Sequence, residues 1–417
     1  MKIIADLHIH SKYSRATAKD MDLESLNKWA KVKGIKVLGT GDFTHPQWFS
    51  ELKEKLEPAE IGLFKLKKEK SDEAVRFMLT AEISCIYSKN NKTRRVHILI
   101  LAPSFDTVEK INASLGQIGN LKADGRPILG IDAKEIVKIA LDASPDCLVI
   151  PAHAWTPWFS VFGSKSGFNS LEECFEEYTK YIYAIETGLS SDPAMNWRLS
   201  SLDKITLISN SDCHSPSKIG REANVFETEL SFAAISEAIK TKDQKKFLYT
   251  VEFFPEEGKY HFDGHRACEI SLSPAESKKY NNICPSCGKP LTIGVLNRVE
   301  ELADRPAGFV PPNAIPYKKL VPLDQIIAQA VGQNTGTKQV EANYKEIIEQ
   351  FGNEFKILLD ASPEELKSKA KPDIAEAILR VREGKISIEP GYDGVYGKIK
   401  IFSVAEQKKS SNQKTLL

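Results

Sequence analysis

The sequence has no long apolar run and almost no excess of charge of either sign. Of its 417 residues, 41% are hydrophobic and 27% are charged, which suits a large buried core and two or three domains. No stretch approaches the roughly 20 apolar residues that span a bilayer, and the N-terminus lacks the order of a secretory signal. We therefore expect a globular, cytoplasmic protein.

Several classes of function are disfavoured because the charge excess, cysteine pattern or sequence motif that they need is absent. A net charge of +1 argues against a polyanion-binding surface over the whole chain, so such a surface would need local basic patches. Seven cysteines, an odd and mostly scattered set, do not predict a disulfide framework. No GxSxG pattern marks a serine nucleophile.

Histidine is also scarce, yet two of the eight histidines stand together in "ADLHIHSKYSRA", residues 5–16. If residues 3–9 form a strand, side chains two positions apart share a face, so Asp6, His8 and His10 would lie on one side. This spacing predicts one edge of a metal site.

Short β-rich runs alternate with helical stretches over the first 230 residues. The runs are "KIIADLHI" (2–9), "KVLGTGD" (36–42), "MLTAEIS" (78–84), "VHILILA" (96–102), "CLVIPAHA" (147–154), "YIYAIET" (181–187) and "KITLISNSD" (204–212). Between them, segments such as 22–34 have helical spacing, an acidic first turn and a closing glycine. This order predicts a parallel α/β architecture.

Nearly every run carries a side chain that can bind a metal. These are His8 and His10, Asp42 with His45, Glu82, His97, His153, Glu186, and Asp212 with His214. In a β/α barrel the carboxyl ends of the strands converge on one face. So many imidazoles and carboxylates exceed the ligands of one zinc, and they predict two or three divalent metals (Zn²⁺, Mn²⁺ or Mg²⁺) that hydrolyse a phosphate ester with activated water.

The motifs "DLHIHSKYS", "GTGDFTH", "TAEIS", "PAHAW" and "SNSDCHS", together with the lone His97, resemble the PHP (polymerase and histidinol phosphatase) family in that order. The resemblance implies a distorted seven-stranded β/α barrel over residues 1–255 with a trinuclear site. The implied ligands are His8, His10, Asp42 or His45, Glu82, His97, His153, Asp212 and His214, with Asp212, His214 and His153 as catalytic residues. Two departures from the family are the absence of an acidic residue shortly after Ser14 and the separation of Asp42 from His45.

A second metal signal lies further along, in "GHRAC" (264–268) and "CPSCGKPL" (284–291). His265, Cys268, Cys284 and Cys287 form an HxxC and CxxC pair, the spacing of a closed tetrahedral zinc site. His261 competes with His265 for the fourth position, and we favour His265 because its spacing mirrors the second pair. This predicts a zinc-binding element at 256–310 with a structural role.

The remaining chain predicts a helical C-terminal domain at 311–405 and a flexible polar tail at 406–417. Residues 358–384 are similar in outline to a DNA-backbone-binding helical hairpin, although ordinary helix packing is the favoured interpretation. In the tail, Gln413 and Leu416 match half of a sliding-clamp-binding box. This half-match indicates a sliding clamp as a partner.

The barrel motifs followed by "FFPEEGKYHFDGHRAC", "CPSCGK", "GVLNRVEELADR" and "PGYDGVYGKI" closely resemble the endonuclease Q family. That resemblance implies hydrolysis of the phosphodiester 5′ to a deaminated base (uracil, hypoxanthine or xanthine) or an abasic site, and so a nucleoid-associated location. The alternatives are a phosphomonoesterase for a small metabolite and a nucleic-acid-binding module with purely structural metals.

An enzyme that inspects a base takes it out of the stack, so aromatic and polar groups are expected beside the metals. Candidate contacts with substrate DNA are Tyr13, Arg15, Trp155, Trp158, Phe159, Ser190, Asn196, Arg198 and Arg221. The alternative for the aromatic and loop residues is a packed rim of the barrel.

Overall fold

The computed structural model describes residues 1–71 and 73–403. The clamp-like Gln413 and Leu416 lie outside the described residues. Among the helices of the described part, none has the length and apolar character needed to cross a membrane.

The strands alternate with helices through the first half of the chain and become short and sparse in the second half. They are β1 (Lys2–Asp6), β2 (Val37–Gly39), β3 (Leu56–Pro58), β4 (Phe64–Leu66), β5 (Arg76–Lys89), β6 (Lys92–Ala102), β7 (Ile128–Leu129), β8 (Leu148–Pro151), β9 (Ala184–Glu186), β10 (Thr206–Ile208), β11 (Ala223–Glu227), β12 (Phe247–Glu252), β13 (Asp263–His265), β14 (Ile270–Leu272), β15 (Tyr317–Lys319), β16 (Ser387–Glu389) and β17 (Lys398–Lys400).

The helices mostly begin at side-chain caps such as Asp22, Ser104 and Asp132, whose oxygens accept backbone N–H groups of the first turn. They are α1 (Leu23–Lys33), α2 (Pro46–Lys55), α3 (Phe105–Gly116), α4 (Ala133–Ala143), α5 (Leu171–Phe175), α6 (Pro193–Asn196), α7 (Phe232–Thr241), α8 (Pro274–Lys279), α9 (Val295–Leu302), α10 (Leu323–Val331), α11 (Lys338–Phe351), α12 (Pro363–Lys369) and α13 (Pro372–Arg382). Short 3₁₀ turns lie at Glu176–Tyr181, Ser200–Leu202, Pro216–Lys218, Pro255–Glu257 and Arg266–Cys268, and a π-helical turn lies at Lys356–Asp360.

A large mixed sheet is built from strands of the first 255 residues together with β15 at Tyr317–Lys319. Its strand order is β15-β12-β11-β1-β2-β5-β4-β3, with β6 paired to β5 and β8, and with β9 and β10 paired separately. The predicted parallel pairing is correct for β1, β2 and β5 and for β9 and β10. It is wrong for β6, which runs antiparallel to both β5 and β8.

The antiparallel pairing of β5 and β6 has a local cause. Asn90 and Asn91 join the two strands with φ angles of 53° and 58°. Two consecutive left-handed residues form the tight turn that matches the twist of a hairpin, and asparagine tolerates that conformation. The polar segment at 89–95 is therefore the tip of a long hairpin.

The core of the sheet draws on alternate residues of separate strands. One buried apolar cluster includes Ile3, Ala5, Leu7, Val37, Met78, Leu99, Leu101, Leu148, Ile150, Ala184 and Ile208. These belong to or directly follow β1, β2, β5, β6, β8, β9 and β10. A second, larger cluster takes the opposite faces of these strands together with the apolar faces of the helices.

The C-terminal helices are attached to the sheet region by a buried ion pair. Lys33 at the end of α1 lies 2.6 Å from the carboxylate of Glu354, and both side chains are less than a tenth exposed. The same carboxylate accepts hydrogen bonds from the Leu323 amide and the Tyr344 hydroxyl. Because every oxygen of Glu354 has a partner, the buried charge is satisfied. The predicted domain limits at 255, 310 and 405 remain predictions.

Candidate metal centre

Four side chains that the sequence separates widely converge beyond the ends of β1 and β10. The ligand atoms of His8, His10, Glu82 and Asp212 lie within 4.8 Å of one another. His10 Nε2 is 3.2 Å from Glu82 Oε2 and 3.1 Å from Asp212 Oδ1. We call this set the first metal group.

Glu82 also belongs to a second set with His97 and His153, which we call the second metal group. Its Oε1 lies 2.7 Å from His97 Nδ1 and 3.0 Å from His153 Nε2. Because its other oxygen faces the first metal group, one carboxylate serves both. That is the position of a ligand that bridges two cations.

The first metal group contains buried polar atoms that lack hydrogen-bond partners and could bind a cation. His8 Nε2, His10 Nε2 and Asp212 Oδ1 are buried and make no hydrogen bond. Buried polar atoms without partners are costly, so a convergent set of them calls for a ligand. Imidazole nitrogen and carboxylate oxygen are donors that suit Zn²⁺, Mn²⁺ or Fe²⁺. The residues therefore fit a divalent cation.

Buried carboxylates contact the second ring nitrogens of His8 and His10. Glu186 lies 3.0 Å from His8 Nδ1 and also accepts the His153 amide at 2.8 Å. Asp42 lies 3.0 Å from His10 Nδ1. Metal-binding histidines commonly have such a partner on the second ring nitrogen, which fixes the ring and its tautomer.

Asp42 lies outside both metal groups, and its role as a ligand stays a prediction. Its second oxygen accepts hydrogen bonds from the Ser11 amide and hydroxyl, both at 2.6 Å, and from the Ser14 hydroxyl at 2.9 Å. Both oxygens thus have hydrogen-bond partners. The carboxylate orients His10.

His45 and His214 also lie outside both metal groups. His45 immediately precedes α2, and its ring stacks on Tyr13 with centroids 4.4 Å apart. His214 lies beside the first metal group, with its ring centroid 4.7 Å from that of His10, and its Nδ1 is 3.0 Å from the Asp212 carbonyl. Of the nine predicted ligands, the groups contain His8, His10, Glu82, His97, His153 and Asp212.

Asp6 does not join the line of His8 and His10 that the strand spacing predicted. β1 ends at Asp6, and the chain beyond it no longer alternates as a strand. The Asp6 carboxylate accepts hydrogen bonds from the Ser211 amide at 3.0 Å and the Gly220 amide at 2.9 Å. Burial raises the pKa of Asp6 to about 6. Its role is to hold the loop that carries Asp212.

Three of these residues have left-handed backbones. Asp42, His153 and Asp212 have φ angles of 50°, 30° and 44°. This region is unfavourable for residues with a Cβ, and such strain is concentrated at functional sites. Gly188 makes room for one of them, because a Cβ there would lie 2.5 Å from the His153 Cβ.

The charges of the centre stabilise one another. Burial opposes protonation of His8 and His10, but Glu186 and Asp42 respectively, with Glu82, raise their pKa values well above the usual range. Burial likewise opposes ionisation of Glu82, yet His97 and Arg126 hold its pKa well below the usual range. A bound cation would take the place of those protons.

Arg126 was missed by the sequence reasoning. Its Nη1 lies 3.0 Å from Glu82 Oε2, and about a quarter of the side chain is exposed. It stands on the irregular segment between α3 and β7, outside any apolar period or motif. No pattern in a single sequence distinguishes this arginine from the others.

Four of the predicted DNA contacts are occupied within the protein. Trp155 is buried and donates its ring N–H to Asn196 at 2.7 Å. Arg198 pairs with Glu300 at 2.6 Å. Arg221 donates to the backbone carbonyls of Ser211 and Asp212. For Trp155 and Asn196 the packed-rim alternative fits, and the two arginines secure neighbouring loops.

The other predicted DNA contacts are Tyr13, Arg15, Trp158, Phe159 and Ser190. Phe159 packs its ring 4.8 Å from that of His97, and the next residue back, Trp158, is 39% exposed. Arg15 is largely exposed and pairs with Asp124. Tyr13 donates its hydroxyl to Glu51, and Ser190 is half-buried on the loop after β9.

The second predicted metal site also assembles. The ligand atoms of His265, Cys268, Cys284 and Cys287 lie within 4.8 Å of one another. Backbone hydrogen bonds from Cys287 and Ser286 outweigh burial and lower the pKa of Cys284 to about 7, which favours the thiolate that binds zinc. His261 is buried outside this group, against Phe262. The geometry favours His265 as the fourth ligand.

Asp42→Asn tests the orienting role of that carboxylate. The substitution turns one acceptor into a donor facing Ser11 or His10, so we expect divalent-metal affinity at the first metal group to fall by about 10- to 100-fold. Isothermal titration with Mn²⁺ measures this loss. Asp22→Asn, at the cap of α1, is the matched control and should bind Mn²⁺ normally. Equal affinities for both variants would contradict the assignment.

The sequence has relatives that match it in part or throughout. The MJ0043 C-terminal domain family matches residues 322–385. Over 255 residues the chain is 37% identical to protein MJ0043 of Methanocaldococcus jannaschii. This alignment covers 59% of this chain and 31% of that longer protein. It is 31% identical to YqxK of Bacillus subtilis over 96% of this chain and 99% of that one.

Two solved structures match nearly the whole fold. The lesion-specific endonuclease PfuEndoQ from Pyrococcus furiosus is 32% identical, with a TM-score of 0.85 over 98% of this chain and 99% of its own. Endonuclease Q bound to a 27-mer duplex with an abasic lesion at the active site is 33% identical, with a TM-score of 0.84 over 97% of each chain. Because similarity of this extent covers the metal groups, the cysteine cluster and the C-terminal helices together, the chain belongs to the endonuclease Q family of metal-dependent DNA endonucleases.

Proposed function

We propose that this protein is a DNA repair endonuclease that hydrolyses the phosphodiester on the 5′ side of an abasic site or a deaminated base, namely uracil, hypoxanthine or xanthine. The abasic specificity is supported by the complex of its relative with a duplex that carries such a lesion. The deaminated bases rest on the family resemblance of the motifs. Extrusion of the lesion from the stack belongs to the same proposal.

One observation carries the chemistry: Glu82 joins two groups of buried ligands, three of whose atoms have no hydrogen-bond partner. The first metal group and the second metal group would each hold a divalent cation. Such cations supply Lewis-acid activation of water and neutralise charge on the phosphate oxygens.

The chain's own groups have distinct tasks around these ligands. Glu186 and Asp42 fix the rings of His8 and His10. Arg126 is the cation nearest to the ligands and is partly exposed, so it is suited to bind a non-bridging oxygen of the scissile phosphate. Of the predicted catalytic residues, Asp212 and His153 would act as ligands, and His214 lies beside His10, with ring centroids 4.7 Å apart.

The finer architecture is part of the same proposal. The shared apolar cluster and the bridge between Ile9 and Cys213 favour closure of seven strands into a distorted barrel. A structural zinc would occupy the cysteine cluster at 256–310, and a sliding clamp would engage the tail. These roles place catalysis in the first 255 residues and DNA positioning in the others.

A phosphomonoesterase for a small metabolite is the alternative. The zinc element and the C-terminal helices argue against it, because a barrel alone suffices for a small phosphorylated substrate. Salt separates the two functions. DNA binding should weaken between 50 and 200 mM salt by roughly 10³-fold for about six phosphate contacts, whereas turnover of a small phosphate should change little.

The test is a nicking assay on labelled duplexes that carry one uracil, hypoxanthine, xanthine or abasic site, or none, with Mg²⁺ or Mn²⁺ added. The wild type should cut only lesion duplexes, immediately 5′ of the lesion. Asp212→Asn should cut about 100-fold more slowly, because a neutral amide replaces a charged ligand. Undamaged duplex cut at the same rate would contradict lesion specificity, and turnover of phosphate monoesters alone would favour the alternative.

A further inference from the structure

Three aromatic side chains from distant parts of the sequence are linked through residues 259 and 260 into what we call the aromatic surface; Trp158 and Tyr396 are exposed and Tyr260 is half-buried. Trp158 follows β8, Tyr260 precedes β13, and Tyr396 lies in the turn between β16 and β17. Trp158 and Tyr260 meet edge to face, with ring centroids 5.7 Å apart. Tyr396 is 66% exposed and lies against Lys259, the chain neighbour of Tyr260.

The surface is continuous with the metal centre. Phe159 packs on the ring of His97 in the second metal group, and its neighbour Trp158 begins the aromatic surface. Thr156 secures the connection, because its hydroxyl lies 3.3 Å from His153 Nδ1 and donates to the Trp158 carbonyl at 2.8 Å. A strand held at the metals would therefore meet Phe159 and Trp158 first.

Tyr396 is presented by a tightly anchored turn. Gly391, Gly394 and Gly397 donate backbone hydrogen bonds to the carbonyls of Glu256, Lys259 and Glu257, at 2.8, 2.9 and 3.1 Å. At Gly391 and Gly397 a Cβ would collide with backbone atoms of this neighbouring segment. This explains the glycines in the motif "PGYDGVYGKI". An aromatic ring that is mostly exposed on a fixed backbone loses little entropy when it binds a partner.

Positive charge accompanies the rings. Lys259 lies 4.5 Å above the Tyr396 ring, and Arg266 is exposed beside Gly394. Within the described ranges neither cation forms an ion pair. The Asp393 carboxylate at this turn accepts hydrogen bonds from the Arg266 amide and the Thr292 hydroxyl. Alternation of aromatic rings and free cations is the composition of surfaces that track single-stranded nucleic acid.

We infer that Trp158, Tyr260 and Tyr396, with Lys259 and Arg266, form a stacking platform for unpaired nucleotides next to the cleaved phosphodiester. The inference rests on the proposed function and adds a contact that the metal chemistry does not need. Unpaired nucleotides are the fitting partner, because a base pair within a duplex has no free face to offer a ring. The lesion nucleotide itself is not assigned to this surface.

The test uses the full-length protein with Asp212→Asn as background, so that bound DNA is cut only slowly and binding is measured before cleavage proceeds. Abasic-site duplexes carry the fluorescent base 2-aminopurine at successive positions on either side of the lesion and opposite it. Stacking on a ring should quench the probe at one or two positions. Tyr396→Ala should abolish that quenching and weaken binding by about tenfold, the typical loss of one stacked base.

Two further variants make the test specific. Tyr396→Trp should retain both quenching and affinity, because indole stacks at least as well as phenol. Tyr280→Ala removes another exposed tyrosine, at 47% exposure, from outside the surface and should behave as the background protein does. In an otherwise active enzyme, Tyr396→Ala should raise KM and leave kcat nearly unchanged.

The outcomes distinguish the platform from the function on which it rests. Unchanged quenching and affinity in Tyr396→Ala would overturn the platform while leaving the endonuclease intact. Equal losses in Tyr396→Ala and Tyr280→Ala would also overturn it, because the effect would then not depend on this surface. If the background protein binds no lesion duplex at all, the proposed function fails first.

Discussion

Glu82→Gln is expected to abolish lesion nicking, with a loss of about 10³-fold or more, and to exceed the effect of Asp212→Asn. Glu82 contributes to both metal groups, whereas Asp212 contributes to one. Metal stabilisation of a phosphoryl transition state is worth several kcal/mol, and each 1.4 kcal/mol is roughly tenfold in rate. Nicking rates and bound metal per chain, measured on the same preparations, test the ranking.

Glu60→Gln is the matched control. Glu60 also pairs with an arginine, since its carboxylate lies 2.6 Å from Arg76 Nε, but it is remote from both metal groups. The control should keep its metal and its activity. Because Glu82→Gln leaves Arg126 without its counter-ion, thermal unfolding must show that the variant is folded. A folded Glu82→Gln protein with wild-type metal content and rate would refute the shared-ligand arrangement.

Cys284→Ser should cost the protein one zinc ion per chain and destabilise the zinc-binding element. Structural zinc sites bind with roughly 10–16 kcal/mol. Divided over four ligands, the loss of one thiolate weakens zinc binding by about 10²- to 10³-fold or more. Zinc content after mild chelation measures the change, and limited proteolysis reports whether residues 256–310 have opened.

The two neighbouring histidines supply the control for this cluster. His265 belongs to the cysteine group, whereas His261 lies outside it. His265→Gln should therefore release zinc as Cys284→Ser does, and His261→Gln should retain it. The reverse pattern would reassign the fourth ligand, and full zinc retention by Cys284→Ser would remove the structural site altogether.

The ligands whose positions are set by spacing within a few residues could be predicted from the sequence. The HxH after β1, the isolated Glu82 and His97 in apolar runs, and the cysteine pairs are conspicuous because polar ligands interrupt apolar or turn segments. Six predicted active-site ligands and all four predicted zinc ligands assemble. The helices at 363–369 and 372–382 also lie within the pair expected at 358–384.

Other site predictions stay open where tertiary partners decide the role of a residue. Asp42 has the chemistry of a ligand, but Ser11 and His10 use its oxygens from the opposite side. Trp155 and Asn196 have the chemistry of a base-recognition pocket, yet they satisfy each other inside the core. Spacing along the chain cannot show which neighbour will occupy a polar atom.

The strand direction of β6 is a different kind of error. A run such as "VHILILA" is buried on both sides whether its neighbours are parallel or antiparallel, so hydrophobicity alone leaves the direction open. The two consecutive asparagines between β5 and β6 were the available signal, because they suit a hairpin turn.

The long hairpin has a consequence for how the chain folds. All residues of β6 from Val96 to Ala102 are buried, so a shift by one residue against β5 would still bury apolar side chains. Such a slip would turn His97 to the opposite face, away from Glu82, although it now lies across from Ser84. The hydrophobic effect therefore selects this register only weakly. Cation binding to Glu82, His97 and His153 would stabilise the one register in which these three side chains converge.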